Sequence, residues 1–451
     1  MFRAAKKVLI GGLSAFSFLC SFSQTGHIRG RVFSSGQPLQ GANITLPSNR
    51  HGVIADSIGE FSLSGIPSGR QTVRVSAVGY QPAEQRIQIG DDTVDVSFDL
   101  SIQSSSLNEV VVTGTLKPVT KLQSAVAVEV YSPQFFKKNP TPSIFESLQN
   151  VNGVRPQINC SVCNTGDIHI NGLEGPYTMV TIDGMPIVSS LATVYGLFGI
   201  PNSLIERIEI VKGPASSLYG SEAVGGLINI ITKNPIKAPL VSTDIMTTSW
   251  HEHSADIGVK FRAGKKAYSL LGINYFNYQN PVDKNKDGFT DVTLQHRISL
   301  FNKWSLQRSE NRLANIAARV FYEDRWGGDM RYTDKFRGTD SIYGESIYTT
   351  RLELLGNYQL PVKEKLLFSF SYNYHNQDSY YGTTPYLGKQ YIGFGQLTWD
   401  KTINERHDLL AGVAVRYTYY DDNSTATADS VKQISKPDKI LLPGLFLQDE
   451  I

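Results

Sequence analysis

Leu366-Leu367-Phe368-Ser369-Phe370-Ser371-Tyr372-Asn373-Tyr374-His375 carries a bulky apolar or aromatic side chain at every second position. Successive side chains of an extended chain point to opposite faces. Leu366, Phe368, Phe370, Tyr372 and Tyr374 therefore form one row, and Leu367, Ser369, Ser371, Asn373 and His375 the other. One row suits hydrocarbon and the other a wet interior, which is the pattern of a transmembrane β-barrel wall built from strands of ~9–11 residues. Residues 409–420 repeat it: Leu409, Ala411, Val413, Val415, Tyr417 and Tyr419 point one way, Leu410, Gly412, Ala414, Arg416, Thr418 and Tyr420 the other. Ile316, Ala318, Val320 and Tyr322 alternate with Asn315, Ala317, Arg319 and Phe321.

From this wall the reading extends outward. Short links at Gly264-Lys265-Lys266, around Asn311, at Val362–Lys365 and at Asn404–Arg406 suit periplasmic turns. Longer polar links near 279–290, 323–345, 376–388 and 420–437 suit extracellular loops. Residues 236–451 then hold about ten antiparallel strands. A large soluble β-sandwich is the alternative, and the strand lengths and the short/long rhythm argue against it. The 22 tyrosines, 21 phenylalanines and 39 glycines fit many strands and turns. With 43 basic against 41 acidic residues, net charge +2, nothing points to nucleic acid.

The N-terminus reads as an export signal, residues 1–23. Arg3, Lys6 and Lys7 precede the apolar run Val8–Phe22, and Ser21-Phe22-Ser23 offers small residues for cleavage before Gln24. Losing Cys20 with the signal leaves Cys160 and Cys163 in an oxidising compartment. Residues 24–100 show six short alternating runs separated by turns, which predicts a β-sandwich. Its stretches Gly30-Arg31-Val32, Asp56-Ser57-Ile58-Gly59-Glu60-Phe61 and Gly79-Tyr80 resemble the carboxypeptidase-regulatory-like domain, an accessory module; no His/Glu zinc set accompanies it. A polar linker, 101–120, contains Glu109-Val110-Val111-Val112-Thr113, three valines in a tether that reads as an unpaired strand able to add to a partner's sheet, or as a strand of the neighbouring domain. Residues 121–235 alternate strands with a short helix at Ser143–Gln149, capped by Ser143 or Thr141.

Within that α/β segment, Ile205-Glu206-Arg207-Ile208-Glu209-Ile210-Val211-Lys212-Gly213-Pro214-Ala215-Ser216-Ser217-Leu218-Tyr219-Gly220 resembles the plug domain of TonB-dependent receptors. The continuation through Gly225 and Gly226 to Lys233 does too, as do Val151-Asn152-Gly153-Val154, Ile170-Asn171-Gly172 and Ile182-Asp183-Gly184-Met185-Pro186 upstream. The resemblance implies that Glu109–Thr113 is a TonB box, the tether gripped by TonB with its ExbB/ExbD energy-coupling complex. It implies a Gram-negative outer-membrane location, with plug and N-terminal domain on the periplasmic side and lipid around the wall. It also implies that Glu206, Arg207, Glu209 and Lys212 face charges of the barrel wall; a solvated charged face is the plainer reading. Gly213, Gly220, Gly225 and Gly226 read as tight turns and close backbone approaches. Plugged barrels of this kind have ~22 strands, so about half the wall is expected here. An open edge would leave backbone groups unpaired in lipid, so the sequence is expected to continue past Ile451.

The implied function is active import of a metal chelate, a ferric siderophore, haem or cobalamin, with no catalytic residues and no required cofactor. Glycan or peptide import, or signalling through the N-terminal domain, are the alternatives. Asp283, Asn285, Asp287 and Asp291 occupy positions 1, 3, 5 and 9 of a calcium-loop pattern with Gly288 at 6, but Leu294 stands where the bidentate Glu belongs. Loop calcium of this sort occurs in cobalamin transporters of the resembled family. Cys160-Ser161-Val162-Cys163 reads as a small disulfide-closed loop, or as a metal contact at the plug apex with His169 or Met185. His251-Glu252-His253 is a weaker candidate of the same kind.

Overall fold

A computed structural model describes residues 25–450, apart from 35, 48–50, 78–79, 91, 102–109, 115, 125, 161–163, 188–190, 192–194, 216, 405 and 430–433. The export signal, Glu109 and Cys163 lie outside the described residues. The chain divides into two compact units, 1–109 and 110–451.

The first unit is the expected sandwich. One four-stranded sheet joins Thr25–Ser34 to Gln37–Pro38, Glu60–Pro67 and Thr93–Asp99; the other runs His51–Ile54, Asn43–Leu46, Gly69–Ser76, Ala83–Ile89. Alternation drives Ile28, Val32, Ile44, Leu46, Val73 and Val75 into a dry core between them. The motif glycine Gly30 is dictated by that packing: a Cβ there would stand 2.4 Å from Val96 O and 2.7 Å from the Phe61 ring. Asp56 makes the Asp56–Glu60 turn by accepting the amides of Ile58 and Glu60 at 3.0 and 2.8 Å.

In the second unit a five-stranded plug sheet runs Val128–Tyr131, Ile205–Lys212, Gly226–Thr232, Thr178–Ile182, Met185–Pro186. Only the pair Gly226–Thr232 and Thr178–Ile182 is parallel. Both of those strands are almost wholly buried, as central strands covered on two faces must be. Helix Ile144–Ser147 starts where expected, Ser143 Oγ accepting the Glu146 amide.

Ten antiparallel strands form the wall: Val241–Thr247, His253–Ala263, Ala267–Tyr278, Leu294–Leu306, Ala314–Gly328, Gly344–Gln359, Lys365–Tyr381, Thr384–Asn404, His407–Asp422 and Asp438–Glu450. The predicted rows hold. Ser369, Ser371, Asn373 and His375 are buried while Phe368 and Tyr372 are exposed; Arg319 and Phe321 are buried while Ile316 and Val320 are exposed. No helix among the described residues is long and apolar enough to cross a membrane. Two expected loops are shorter than read. Residues 376–388 continue as strand through a turn at residues 382–383, and 323–345 shrinks to 329–343. The polar stretch Asn376–Ser379 remains paired, with Gln377 and Ser379 buried on its inner face.

Candidate functional site

The tether is clasped to the centre of the plug. Val110–Val111 pairs antiparallel with Val119–Thr120, so of the two readings the sequence allows, a paired strand is the one found here. Val111 is drawn into an apolar cluster with Val128, Val211 and Leu227. Beyond it the amides of Val112 and Thr113 donate to Glu209 Oε2 at 3.0 and 2.9 Å, and Thr113 Oγ1 donates to the same oxygen. Asn229 Nδ2 donates to Thr113 Oγ1 at 3.0 Å, and Arg207 Nε to Glu209 Oε1 at 2.9 Å. Thr113, Glu209 and Asn229 are each 0% exposed. A carboxylate so deep is tolerable only with its acceptor sites filled, and the tether fills one of its two oxygens.

Polar contacts continue from Asn229 to the wall. Its Oδ1 accepts Thr181 Oγ1 at 2.9 Å and the Gly184 amide at 3.0 Å. Neighbouring Asp183 accepts the Thr232 amide and hydroxyl at 2.8 and 2.7 Å, and Lys303 Nζ of the fourth wall strand at 2.8 Å. The tether is also held to the wall directly. Lys117 Nζ lies 2.7 Å from Asp408 Oδ2 and 3.1 Å from Glu450 Oε2, on the ninth and tenth strands. Burial alone would pull the Lys117 pKa down; hydrogen bonds and charge from the two carboxylates more than reverse this, and it ends above its ordinary value.

Elsewhere the wall grips plug backbone. Arg297 donates to Pro142 O at 3.1 Å, Arg325 to Asn164 O at 2.6 Å, Arg319 to Gly196 O and Phe198 O at 3.1 and 3.2 Å, and Arg351 to Ile187 O at 3.2 Å. Glu323 pairs with Arg297 and Arg325, and Glu353 with Arg319 and Arg351. The planar guanidinium suits this double duty, one edge to a carboxylate and another to a carbonyl. Arg416 forks onto Glu222 at 2.6 and 2.7 Å, and Lys137 of the plug meets Asp244 at 2.8 Å. Close to this ring, burial raises the Glu146 carboxyl to about 7, with Arg297 pulling it down and Glu252 pushing it up.

The plug charges are therefore placed differently from what the resemblance implies. Glu206 and Glu209 pair with Arg207, and Lys212 with Glu129 at 2.5 Å, all within the plug. Their strand, Ile205–Lys212, lies between two other plug strands, and among the described residues none of these four charges pairs with the wall. The residues that do reach across, Asp183, Glu222, Lys303, Arg416 and the four wall arginines, were not singled out from sequence. Gly213, Gly220 and Gly226 adopt φ of +110°, +78° and +155°. A Cβ on Gly226 would stand 2.5 Å from Val211 O, and one on Gly225 2.9 Å from Tyr177 O.

In the loop 279–293, Asp283 accepts the Asp287 and Gly288 amides at 3.2 and 2.9 Å, and Asp291 the Lys284 amide at 2.7 Å. Asn285 Nδ2 donates to Asp287 at 2.9 Å. No group of three or more His, Cys, Asp or Glu placed to hold a metal ion occurs among the described residues. Cys160 ends the strand Val154–Cys160, paired with Thr165 at the tip of a hairpin. His169 sits four residues further down the partner strand, ~13 Å at the strand rise, and bonds Asp167 at 2.9 Å. Met185 is in the plug core. His251 is exposed at φ +69°, and His253 Nδ1 meets Thr247 Oγ1 at 3.3 Å.

Comparison with known proteins agrees with this architecture. Residues 120–227 match the TonB-dependent receptor plug domain, and residues 28–112 the CarboxypepD_reg-like domain. The ferric enterobactin receptor PirA of Pseudomonas aeruginosa is 30% identical over 210 residues, 43% of this chain and 28% of PirA. The siderophore receptor PiuA from Acinetobacter baumannii superposes with a TM-score of 0.52 at 13% identity, over 74% of this chain and 56% of PiuA. FpvA of P. aeruginosa, solved with a heterologous pyoverdine, gives 0.55 at 14%, over 78% and 54%. At such identities these structures show the fold: a plug against part of a barrel wall. The chain spans about half of those solved chains and 28% of the curated relative.

Proposed function

We propose that this chain, with a TonB-dependent receptor plug domain seated against a β-barrel wall, serves active uptake of an iron chelate of the siderophore type across the outer membrane. The observation that carries the proposal is the clasp of Thr113 on Glu209. The segment TonB would grip is hydrogen-bonded to the plug's central sheet, so a pull on it acts on the plug itself. Beside a shared apolar cluster, the plug–wall contacts include many hydrogen bonds that water can replace, which suits a plug that must move and return. The chemistry is transport, not bond-making: TonB with ExbB/ExbD supplies energy, lipid surrounds the wall, and the cargo docks from outside. PirA's name favours a catecholate chelate such as ferric enterobactin. The test is uptake of radioiron-labelled ferric enterobactin by cells making the full-length protein, with and without TonB. Uptake that persists without TonB would sink the proposal, as would no uptake.

Calcium ordering of the loop around Asp283, Asn285, Asp287 and Asp291 belongs to the same reading. Asp283 already folds the loop around itself through two amides, and Gly288 takes the φ of +85° that the sharp turn needs.

A further inference from the structure

Beside the Lys137–Asp244 pair, the plug and the first two wall strands enclose a cavity. Its plug side is mainly apolar: Phe136 of the helix Pro133–Phe136, Ile144 of the next helix, and Ile205 and Ile208 of the plug sheet. Its wall side brings Met246, Ser254 and Asp256. Lys137 and Pro140, which also line it, are exposed, so it opens to water on that side. It encloses about 60 Å³. One water needs ~10–15 Å³. The space therefore takes roughly four to six waters, or an organic molecule of about that many heavy atoms.

Asp256 is the polar end of this cavity, and it is 2% exposed. Its Oδ1 accepts the Asn202 amide at 3.2 Å and Asn274 Nδ2 at 3.1 Å. No hydrogen bond or ion pair among the described residues uses its Oδ2. A carboxylate oxygen buried without a partner is costly. The charges nearby go elsewhere. Asp244 stands directly opposite Asp256 across the two strands, a pairing of like charges that disfavours both, and Lys137 bonds Asp244. Arg297 donates to Asn274 Oδ1, Glu323 and Pro142 O. Ser254 lies two residues from Asp256 and so on the same face of its strand. It is 8% exposed, and its hydroxyl also has no partner among the described residues.

We propose that this cavity is a binding site for a small organic cation, a primary ammonium on a short apolar body. The ammonium donates to Asp256 Oδ2 and Ser254 Oγ, and the body packs on Phe136, Ile144, Ile205, Ile208 and Met246. A divalent metal ion does not suit the site: calcium takes 6–8 oxygen ligands, and most of this lining is apolar. The occupant touches plug and wall at once, so it fastens the two plug helices to the first two wall strands. The site does not depend on the import reading above, because its occupant need not be cargo.

The test titrates isoamylammonium into the full-length protein in detergent, with isoamyl alcohol as the neutral control, read by calorimetry and hydrogen exchange. The ammonium should bind about tenfold or more tighter than the alcohol, and should slow exchange at 133–147 and 254–256. Asp256→Asn keeps an acceptor for Asn202 and Asn274 but loses the charge. It should weaken the ammonium about tenfold or more and leave the alcohol within about twofold. Ser254→Ala should weaken the ammonium about threefold, and carries the test if Asp256→Asn does not fold. Asp244→Asn should change it less than Asp256→Asn does. No binding by the parent overturns the inference, as does equal affinity for the alcohol or full binding by the folded Asp256→Asn protein. Equal losses in Asp244→Asn and Asp256→Asn also overturn it, since they would mean attraction to surface charge.

Discussion

The N-terminal sandwich and the plug–wall seam bury their side chains in different proportions of apolar and polar contact. The sandwich core is apolar, from Ile28 and Val32 through Phe98 and Leu100. The seam is mixed: Phe198 and Leu204 of the plug share a buried apolar cluster with Leu270, Phe301 and Phe321 of the wall, and beside it stand arginine against carbonyl, lysine against aspartate and arginine against glutamate. Apolar burial has no substitute in water, so a dry core is lost whole or kept whole. A hydrogen bond to protein exchanges for one to water at a net difference of only ~0.5–1.5 kcal/mol. The polar contacts of the seam can therefore be exchanged one by one, and those of the sandwich core cannot.

The comparison breaks first if the wall's own ion pairs prove as exchangeable as its contacts with the plug. Glu353→Gln strands Arg319 and Arg351 in the interior, and is expected to destabilise the folded wall by ~3–5 kcal/mol, seen as loss of heat-resistant barrel on gels. A folded barrel of parental heat resistance would contradict this. Next, Phe98→Ala should cost the sandwich ~3–5 kcal/mol, read by hydrogen exchange confined to residues 25–100 of the full-length protein; spread into the plug would show that the two units are not separate. On the seam side, Thr113→Val removes one hydroxyl from the clasp and should cost ~1–3 kcal/mol locally. A cysteine placed at Val112 would then label faster with a membrane-impermeant maleimide, and equal labelling would mean that Glu209 does not hold the tether.

Smaller still is the pH effect at Glu146. Its folded pKa of about 7 lies above the ordinary carboxylate value of 4.5, so its contribution is fully present below that value and is lost as pH rises through 7. The plug should thus protect more strongly at pH 5 than at pH 8, and Glu146→Gln should flatten that difference. A slope unchanged in the variant would assign it to other groups. Least of all, calorimetry should find calcium binding in the ~0.1–1 mM range typical of extracellular modules, abolished by Asp283→Ala; no heat in the parent removes the loop calcium.

Much of this was legible in the sequence because a β-wall writes its environment into alternate residues. Leu366–His375 reports two media, and the structure honours them. The same code fell silent at 376–388, where Asn376, Gln377, Asp378 and Ser379 put polar residues on both faces although Gln377 and Ser379 are buried, so polarity no longer distinguishes a strand from a loop. Alternation also gives a residue's face but not its neighbour. Glu209 is on a strand of alternating charge, yet whether it meets the wall or residues 112–113 depends on contacts 96 and 97 residues apart in the chain. The wall arginines carried a signal that went unused. Arg297, Arg319, Arg325 and Arg351 stand at inward positions of strands whose outward rows are apolar or aromatic, where a buried cation needs a partner. Asp183 was read only as part of a turn motif, because its lysine is 120 residues away.

The Lys117 anchor has a mechanical consequence. Thr113 is fastened to the plug and Lys117 to the barrel, with only four peptide steps between them, ~14 Å when taut. A pull that strips Thr113 from Glu209 gains at most that much slack and then comes up against the wall. From there the load path runs into the ninth and tenth strands until the lysine lets go of Asp408 and Glu450. Under a pull on the tether, then, the plug sheet would be loaded first, through Glu209, and the barrel second, and the wall would hold back the chain beyond Lys117 until its ion pairs part.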